Sequence, residues 1–214
     1  MITTYHAVML TLGIETSGLA GSVALVEDGC VLAARDLTAT GRRHARTLVS
    51  ELQALFESCR LRPANCDQVA VSIGPGSFTG LRVGVVCAKT FAYAVGCRCL
   101  AVDTLEAIAA NADDLENDLR IVIDAQRGEW FHGWYRKPAA PAPTRSVGVD
   151  RPPPSRWLLT EAISIRRREE VLEEVRFSGG RLSGPALKTI PVVDLPPGKL
   201  PSDLWMPTAA AIAR

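Results

Sequence analysis

An α/β fold with mixed β-sheets and flanking helices, built as two lobes of which the second is reduced, is predicted by three features of the 214-residue sequence. Apolar runs of strand length come first and are followed by segments of helical period. The pair Asp28-Gly29 separates two of these runs, and Asp-Gly accepts the positive φ angles of a two-residue hairpin turn. After a polar stretch at 111–118 the strand-first order begins again. The boundary is therefore expected between an N-terminal lobe, 1–112, and a smaller C-terminal lobe, 113–214. With 47% hydrophobic residues the chain has ample material for a core.

Residues 8–14 read as the first strand and, after a Ser/Gly turn, 22–27 as the second; the hairpin leads to a third at 30–37. Over 44–59 the apolar residues Ala45, Leu48, Val49, Leu52, Leu55, Phe56 and Cys59 recur every three or four positions. That spacing puts them on one face of an amphipathic helix. A short strand at 69–73 enters the turn Gly74-Pro75-Gly76-Ser77, and a helix over 77–95 ends at Gly96. Residues 98–102 form a further strand, and either Asp103 or Thr104 can cap the helix that follows. Three antiparallel strands, helix, strand, helix, strand, helix is the ribonuclease H-like arrangement.

In the second half, 119–123 and 130–135 read as strands joined through "DAQRGEW". The prolines of 138–143 and 152–154 place turns or extended loop there, because proline lacks a backbone donor. A charged helix is expected over 160–175, a strand at 175–178 before Gly179-Gly180, and a last helix from Thr208 to Arg214.

Composition narrows function. The 24 Lys and Arg nearly cancel 23 Asp and Glu, unlike a protein that grips nucleic acid by its phosphates, so any nucleic-acid role is expected to be indirect or local. No two of the six cysteines show C-x-x-C spacing, and free thiols in a reducing compartment are expected. The start of the chain has no positive n-region and its apolar stretch is ended by Glu15, which reads as neither signal peptide nor membrane span and implies a cytoplasmic protein. His6, His44 and His132 form no H-x-x-x-H pair, so no metal site is expected, and the serines beside glycines form no G-x-S-x-G elbow, so no catalytic group is expected.

Two motifs remain. Glu15, Thr16 and Ser17 sit where the first strand meets a Gly-rich turn, the place where amides and hydroxyls can hold phosphates and an acid can approach Mg²⁺; they are equally ordinary turn formers. Ser77 opens a helix whose first amides can attract an anion, yet Leu81 stands where a P-loop has lysine. Along that helix Gly80, Gly84, Ala88, Ala92 and Gly96 recur every fourth residue. Glycine inside a helix costs about 0.5–1 kcal/mol relative to alanine, so the stripe calls for close packing, against the chain's own helix or sheet or against another protein.

The blocks "LGIETSGLAGSVALVEDG", "RRHARTL", "SIGPGSFTGLRVG", "AVDTLEAIA" and "IDAQRGEWFHGWY" resemble, in order, those of the TsaB/YeaZ family of the glycoprotease-like superfamily. The match covers about residues 10–136 and is faint after "VRFSGG". The resemblance implies a two-lobed actin-like ATPase fold and a non-catalytic subunit of the complex that installs threonylcarbamoyl on adenosine 37 of tRNA. It implies partnership with a TsaD-like transferase and a TsaE-like ATPase, and dimerisation, with TsaD or with a second copy, through the first two helices. On this reading Leu48, Gly80, Gly84 and Ala88 form the helical interface, with His44 and Arg46 at its rim, and no cofactor is bound. The alternative is a nucleotide-dependent phosphotransferase or ATPase of the same fold, holding ATP and Mg²⁺ through Glu15, Thr16, Ser17 and Ser77.

Overall fold

All six residues of strand β1 (Leu10–Glu15) are buried, which is why the strand reads as an apolar run and not as an alternation: it is covered on both faces. The computed structural model describes residues 8–18, 20–37, 44–112, 118–137 and 157–214. Strands β2 (Ser22–Glu27) and β3 (Cys30–Asp36) extend antiparallel from β1. Asp28 and Gly29 turn the hairpin with φ of 47° and 80°, as the Asp-Gly signal requires. On the other side of β1, β4 (Gln68–Ser72) and β5 (Arg98–Val102) pair in parallel, giving the order β3-β2-β1-β4-β5.

The crossovers are helices α1 (His44–Ser58) and α2 (Phe78–Val95). Both pack on the sheet face that carries Leu12, Ile14, Val69 and Val71, and with Leu48, Leu55, Phe56 and Ala88 they make one buried cluster. Helix α2 starts on Ser77, whose hydroxyl accepts from the Gly80 amide, and stops at Gly96 in the left-handed conformation with φ of 79°. Helix α3 (Thr104–Ala110) is capped by Asp103, whose carboxylate accepts from the Leu105 amide at 2.7 Å.

A second compact unit spans Ile108–Met206. Its sheet follows the order β10-β6-β7-β8 and consists of β6 (Asp118–Gln126), β7 (Glu129–Arg136), β8 (Leu158–Leu159), β9 (Ser164–Arg167), which also pairs with β7, and β10 (Arg181–Ser183). Helix α4 (Arg168–Ser178) lays Val171, Leu172 and Val175 on Val122, Trp130 and Leu182. Two antiparallel strands, a third beside them, a helix and a parallel fourth repeat the opening of the first unit in shortened form.

Three expectations are corrected. The helix expected over 160–175 begins only at Arg168, because Ser164–Arg167 pairs with β7, Ile165 opposite Phe131. The strand expected at 175–178 is the last turn of that helix, and pairing starts after the glycines, at Arg181. The last helix, α5 (Ala209–Ala213), does not belong to the second unit: Pro207–Arg214 groups with Met1–Ala107. Small residues explain the return. The Ala209 carbonyl presses so closely on Gly13 that a Cβ there would sit 2.1 Å from its oxygen, and the Ala209 amide donates to the Ser22 hydroxyl at 3.0 Å. The expected boundaries of 1–112 and 113–214 thus miss this closing segment. The proline-rich stretches at 138–143 and 152–154 lie outside the described residues.

Candidate functional site

Because β1 and β4 are parallel neighbours, the turns that leave them meet at the C-terminal ends of the two strands. The Ser77 amide donates to the Ser17 carbonyl at 2.6 Å. The Thr16 hydroxyl donates to the Gly80 carbonyl at 2.9 Å, inside the first turn of α2. The Ser17 amide donates to the Glu15 carboxylate. Glu15, Thr16 and Ser17 are buried, and the Gly74-Pro75 peptide bond is cis. The structure therefore brings Glu15, Thr16, Ser17 and Ser77 together, and bonds among them and to the first turn of α2 join the two turns.

The small-residue stripe faces the same place. A Cβ added at Gly80 would lie 2.0 Å from the Thr16 carbonyl oxygen, and one at Gly84 would lie 2.2 Å from Thr16 Oγ1. Gly80, Gly84, Ala88 and Ala92 are the buried residues of α2. This corrects the sequence-based assignment of Gly80, Gly84 and Ala88 to a partner interface: the close approach that the glycines permit is to the chain's own β1 turn and to β4. Leu48 is likewise only 2% exposed, and its role is to floor the groove described next. The side chains of His44 and Arg46, at the start of α1, lie outside the described residues.

On their outer side α1 and α2 leave a groove of about 960 Å³. Leu52, Phe56, Val83 and Phe91 line it together with Leu48, and the rings of Phe56 and Phe91 stack with centroids 6.0 Å apart. Val49 and Val86 also line it and are 72% and 64% exposed. Charged residues stand at the rim: Glu57, hydrogen bonded to Gln53 at 2.8 Å, and Arg82, whose guanidinium lies over the Phe78 ring at 5.4 Å. Cys87 lines the groove as an apolar group, since burial pushes its thiol up from the ordinary range. Burial pushes the Cys66 thiol further, to about 12, and all six cysteines are free.

The sequence carried a signal for this groove that the stripe obscured. Helix α2 is apolar on both flanks of its small residues, enough that an 18-residue window reaches a mean hydropathy of 1.2, long and apolar enough to cross a membrane by length and composition. In this fold one side of α2 lies on the sheet, and the surplus apolar side chains form the groove.

In the second unit Arg120, 4% exposed, donates to Glu174 at 2.9 Å, and Arg166 donates to the other oxygen of the same carboxylate. Burial alone would raise the Glu174 pKa, but the two guanidiniums outweigh it and hold the carboxylate below its ordinary range. Arg120 also lies over the Trp134 ring at 4.9 Å. This ion bridge ties α4 to its sheet.

Comparison with known proteins agrees with this geometry. Residues 38–139 match the family model TsaD, tRNA N6-adenosine threonylcarbamoyltransferase. The chain is 32% identical over 128 residues to the tRNA threonylcarbamoyladenosine biosynthesis protein TsaB of Bacillus subtilis, which covers 60% of this chain and 56% of that protein. It is 30% identical over 148 residues to an uncharacterized protein of Mycobacterium tuberculosis, covering 68% of each. The chain thus spans little more than half the length of the Bacillus relative. The structure of YeaZ from Pseudomonas aeruginosa superposes with a TM-score of 0.73 at 23% identity, covering 95% of this chain and 88% of that one, and so shares its fold. On the run of these matches, and on the two-unit α/β fold they share, the chain belongs to the TsaB/YeaZ family of glycoprotease-like proteins.

Proposed function

We propose that this chain is a non-catalytic subunit of the tRNA threonylcarbamoyladenosine pathway, and that it docks a TsaD-type threonylcarbamoyltransferase on the groove between α1 and α2. The observation that carries the reading is the groove itself. Val49 and Val86 stand exposed above an apolar floor, and such a surface gains most by receiving another apolar helix face. The pathway comes from the relatives, three of which bear the pathway's name. A TsaE-like ATPase as a further member, indirect contact with tRNA, self-association through the same groove and a cytoplasmic location all belong to this reading.

The nucleotide-dependent alternative has less support. Two of the groups it would use are engaged within the protein, the Thr16 hydroxyl with the Gly80 carbonyl and one Glu15 oxygen with the Ser17 amide. The decisive experiment is threonylcarbamoyl transfer reconstituted with TsaD- and TsaE-type proteins from the same source. Activity is expected with this chain and not without it. Full transfer in its absence would refute the assignment. Calorimetry with ATP and Mg²⁺ on the isolated chain tests the alternative, whose signature would be micromolar binding lost in Glu15→Ala.

A further inference from the structure

Each wall of the groove is tied to the sheet by a buried threonine hydroxyl, beside the Ser77 amide bond to the Ser17 carbonyl on the α2 side and the Arg35–Glu51 ion pair at 2.6 Å on the α1 side. On the α2 side, Thr16 Oγ1 donates to the Gly80 carbonyl at 2.9 Å, and Gly84, one turn further, packs so closely on the same oxygen that no side chain fits between. On the α1 side, Thr47 Oγ1 donates to the Leu37 carbonyl at 3.0 Å, joining the first turn of the helix to the end of β3. Both threonines are buried, Thr16 completely and Thr47 to 7% exposure. Neither lines the groove. The two bonds thus fasten α1 and α2, the opposite walls of the groove, from positions inside the protein.

We infer that Thr16 and Thr47 are positioning residues for the partner-binding groove: their hydroxyls hold α1 and α2 at the separation an incoming apolar helix requires. The inference rests on the groove being the docking face. Apolar docking depends steeply on fit, because a gap of 0.5–1 Å forfeits roughly a quarter to a half of the contact energy, and helices released from their anchors lose that fit without losing a single groove side chain. The Glu15-Thr16-Ser17 turn thereby acquires a role for its hydroxyl that is mechanical, acting through α2 on a surface it does not touch.

The test compares Thr16→Val and Thr47→Val, which keep shape and remove the hydroxyl, with Thr11→Val. Thr11 accepts a buried hydrogen bond from Gln68 at 2.9 Å within the sheet, so it is a control for loss of a buried hydrogen bond that anchors neither helix. Affinity for the TsaD-type transferase is measured by calorimetry and stability by urea unfolding. Thr16→Val and Thr47→Val are expected to weaken binding about tenfold, the order of one lost hydrogen bond, while Thr11→Val lowers stability comparably and binds as the parent does. Thr16→Ser, which retains the hydroxyl, should restore affinity. Equal affinities in all three valine variants would overturn the inference. Val86→Glu separates this from failure of the docking reading: if it too binds normally, the groove is not the docking face; if it alone abolishes binding, only the positioning role is refuted.

Discussion

Gly80 and Gly84 occupy positions where a methyl group has no room. At Gly80 the obstacle is a backbone oxygen and at Gly84 the Thr16 hydroxyl, at 2.0 and 2.2 Å from the added Cβ. Gly84→Ala should therefore lower the stability of the first unit by about 1–3 kcal/mol, as overpacking does, despite alanine's better helix propensity; the urea midpoint checks it. A larger residue such as leucine is expected to unfold the unit and not simply to block a partner. In the second unit His132 is buried, and its pKa is pushed down to about 4 by that burial first and then by Arg166 and Arg120, with Glu174 opposing. The unfolded chain takes up this proton near pH ~6.5 and the folded one only near 4, so stability falls as pH drops through that interval. The loss is on the order of 3 kcal/mol, and it should disappear in His132→Phe when urea unfolding is followed between pH 7 and 4.

At the scale of elements, α2 shows how one helix serves two surfaces. Its stripe of small residues seats it on the sheet, and its bulky apolar residues on the outer side make one wall of the groove. The two surfaces predict opposite behaviour on substitution. Val86 is 64% exposed, so Val86→Glu should leave stability within about 0.5 kcal/mol, yet it should weaken binding of a TsaD-type partner roughly 100-fold or more, because docking would bury an unpaired carboxylate. Calorimetry and urea unfolding of the same variant read both effects. A drop in stability with affinity intact would reverse the assignment of the two faces. The β9 strand teaches the converse lesson. Ser164–Arg167 carries charges that suit a helix, but pairing with β7 and the ion bridge from Arg166 to Glu174 place it in the sheet, so tertiary context overrides propensity.

For the whole molecule, the chain's closing segment is the telling feature. Helix α5 runs against β1, β2 and β4, on the face opposite α1 and α2, where Ile212 joins Ala70 and Ala107 in a small buried cluster. Removing residues 207–214 should uncover that face and destabilise the first unit, by roughly 2–4 kcal/mol from Ile212 and the buried alanines together. The four tryptophans, Trp130, Trp134, Trp157 and Trp205, all lie in the second unit. Tryptophan fluorescence should therefore report an unchanged second unit in the truncated chain, while far-ultraviolet circular dichroism shows earlier loss of the first. Coincident shifts of both signals would mean that the units unfold as one.

Read from the amino acids alone, the order of elements in the first half, the Asp28-Gly29 hairpin, the turn within "DAQRGEW", the Ser77 and Gly96 helix ends and the renewed strand-first order of the second half were legible, because periodicity, turn chemistry and capping are local requirements written within a few residues. The resemblance of five ordered blocks located the family by the same local means. Tertiary structure alone decided which surface the glycine stripe meets, which apolar residues remain outside, and where the last helix goes. A stripe of small residues records only that something comes close, whether the chain's own turn or another protein. The contact that settles it, Thr16 with Gly80, joins positions 64 residues apart, and Ser22 meets Ala209 across 187. Such meetings are set by the packing of layers, not by neighbouring residues along the chain.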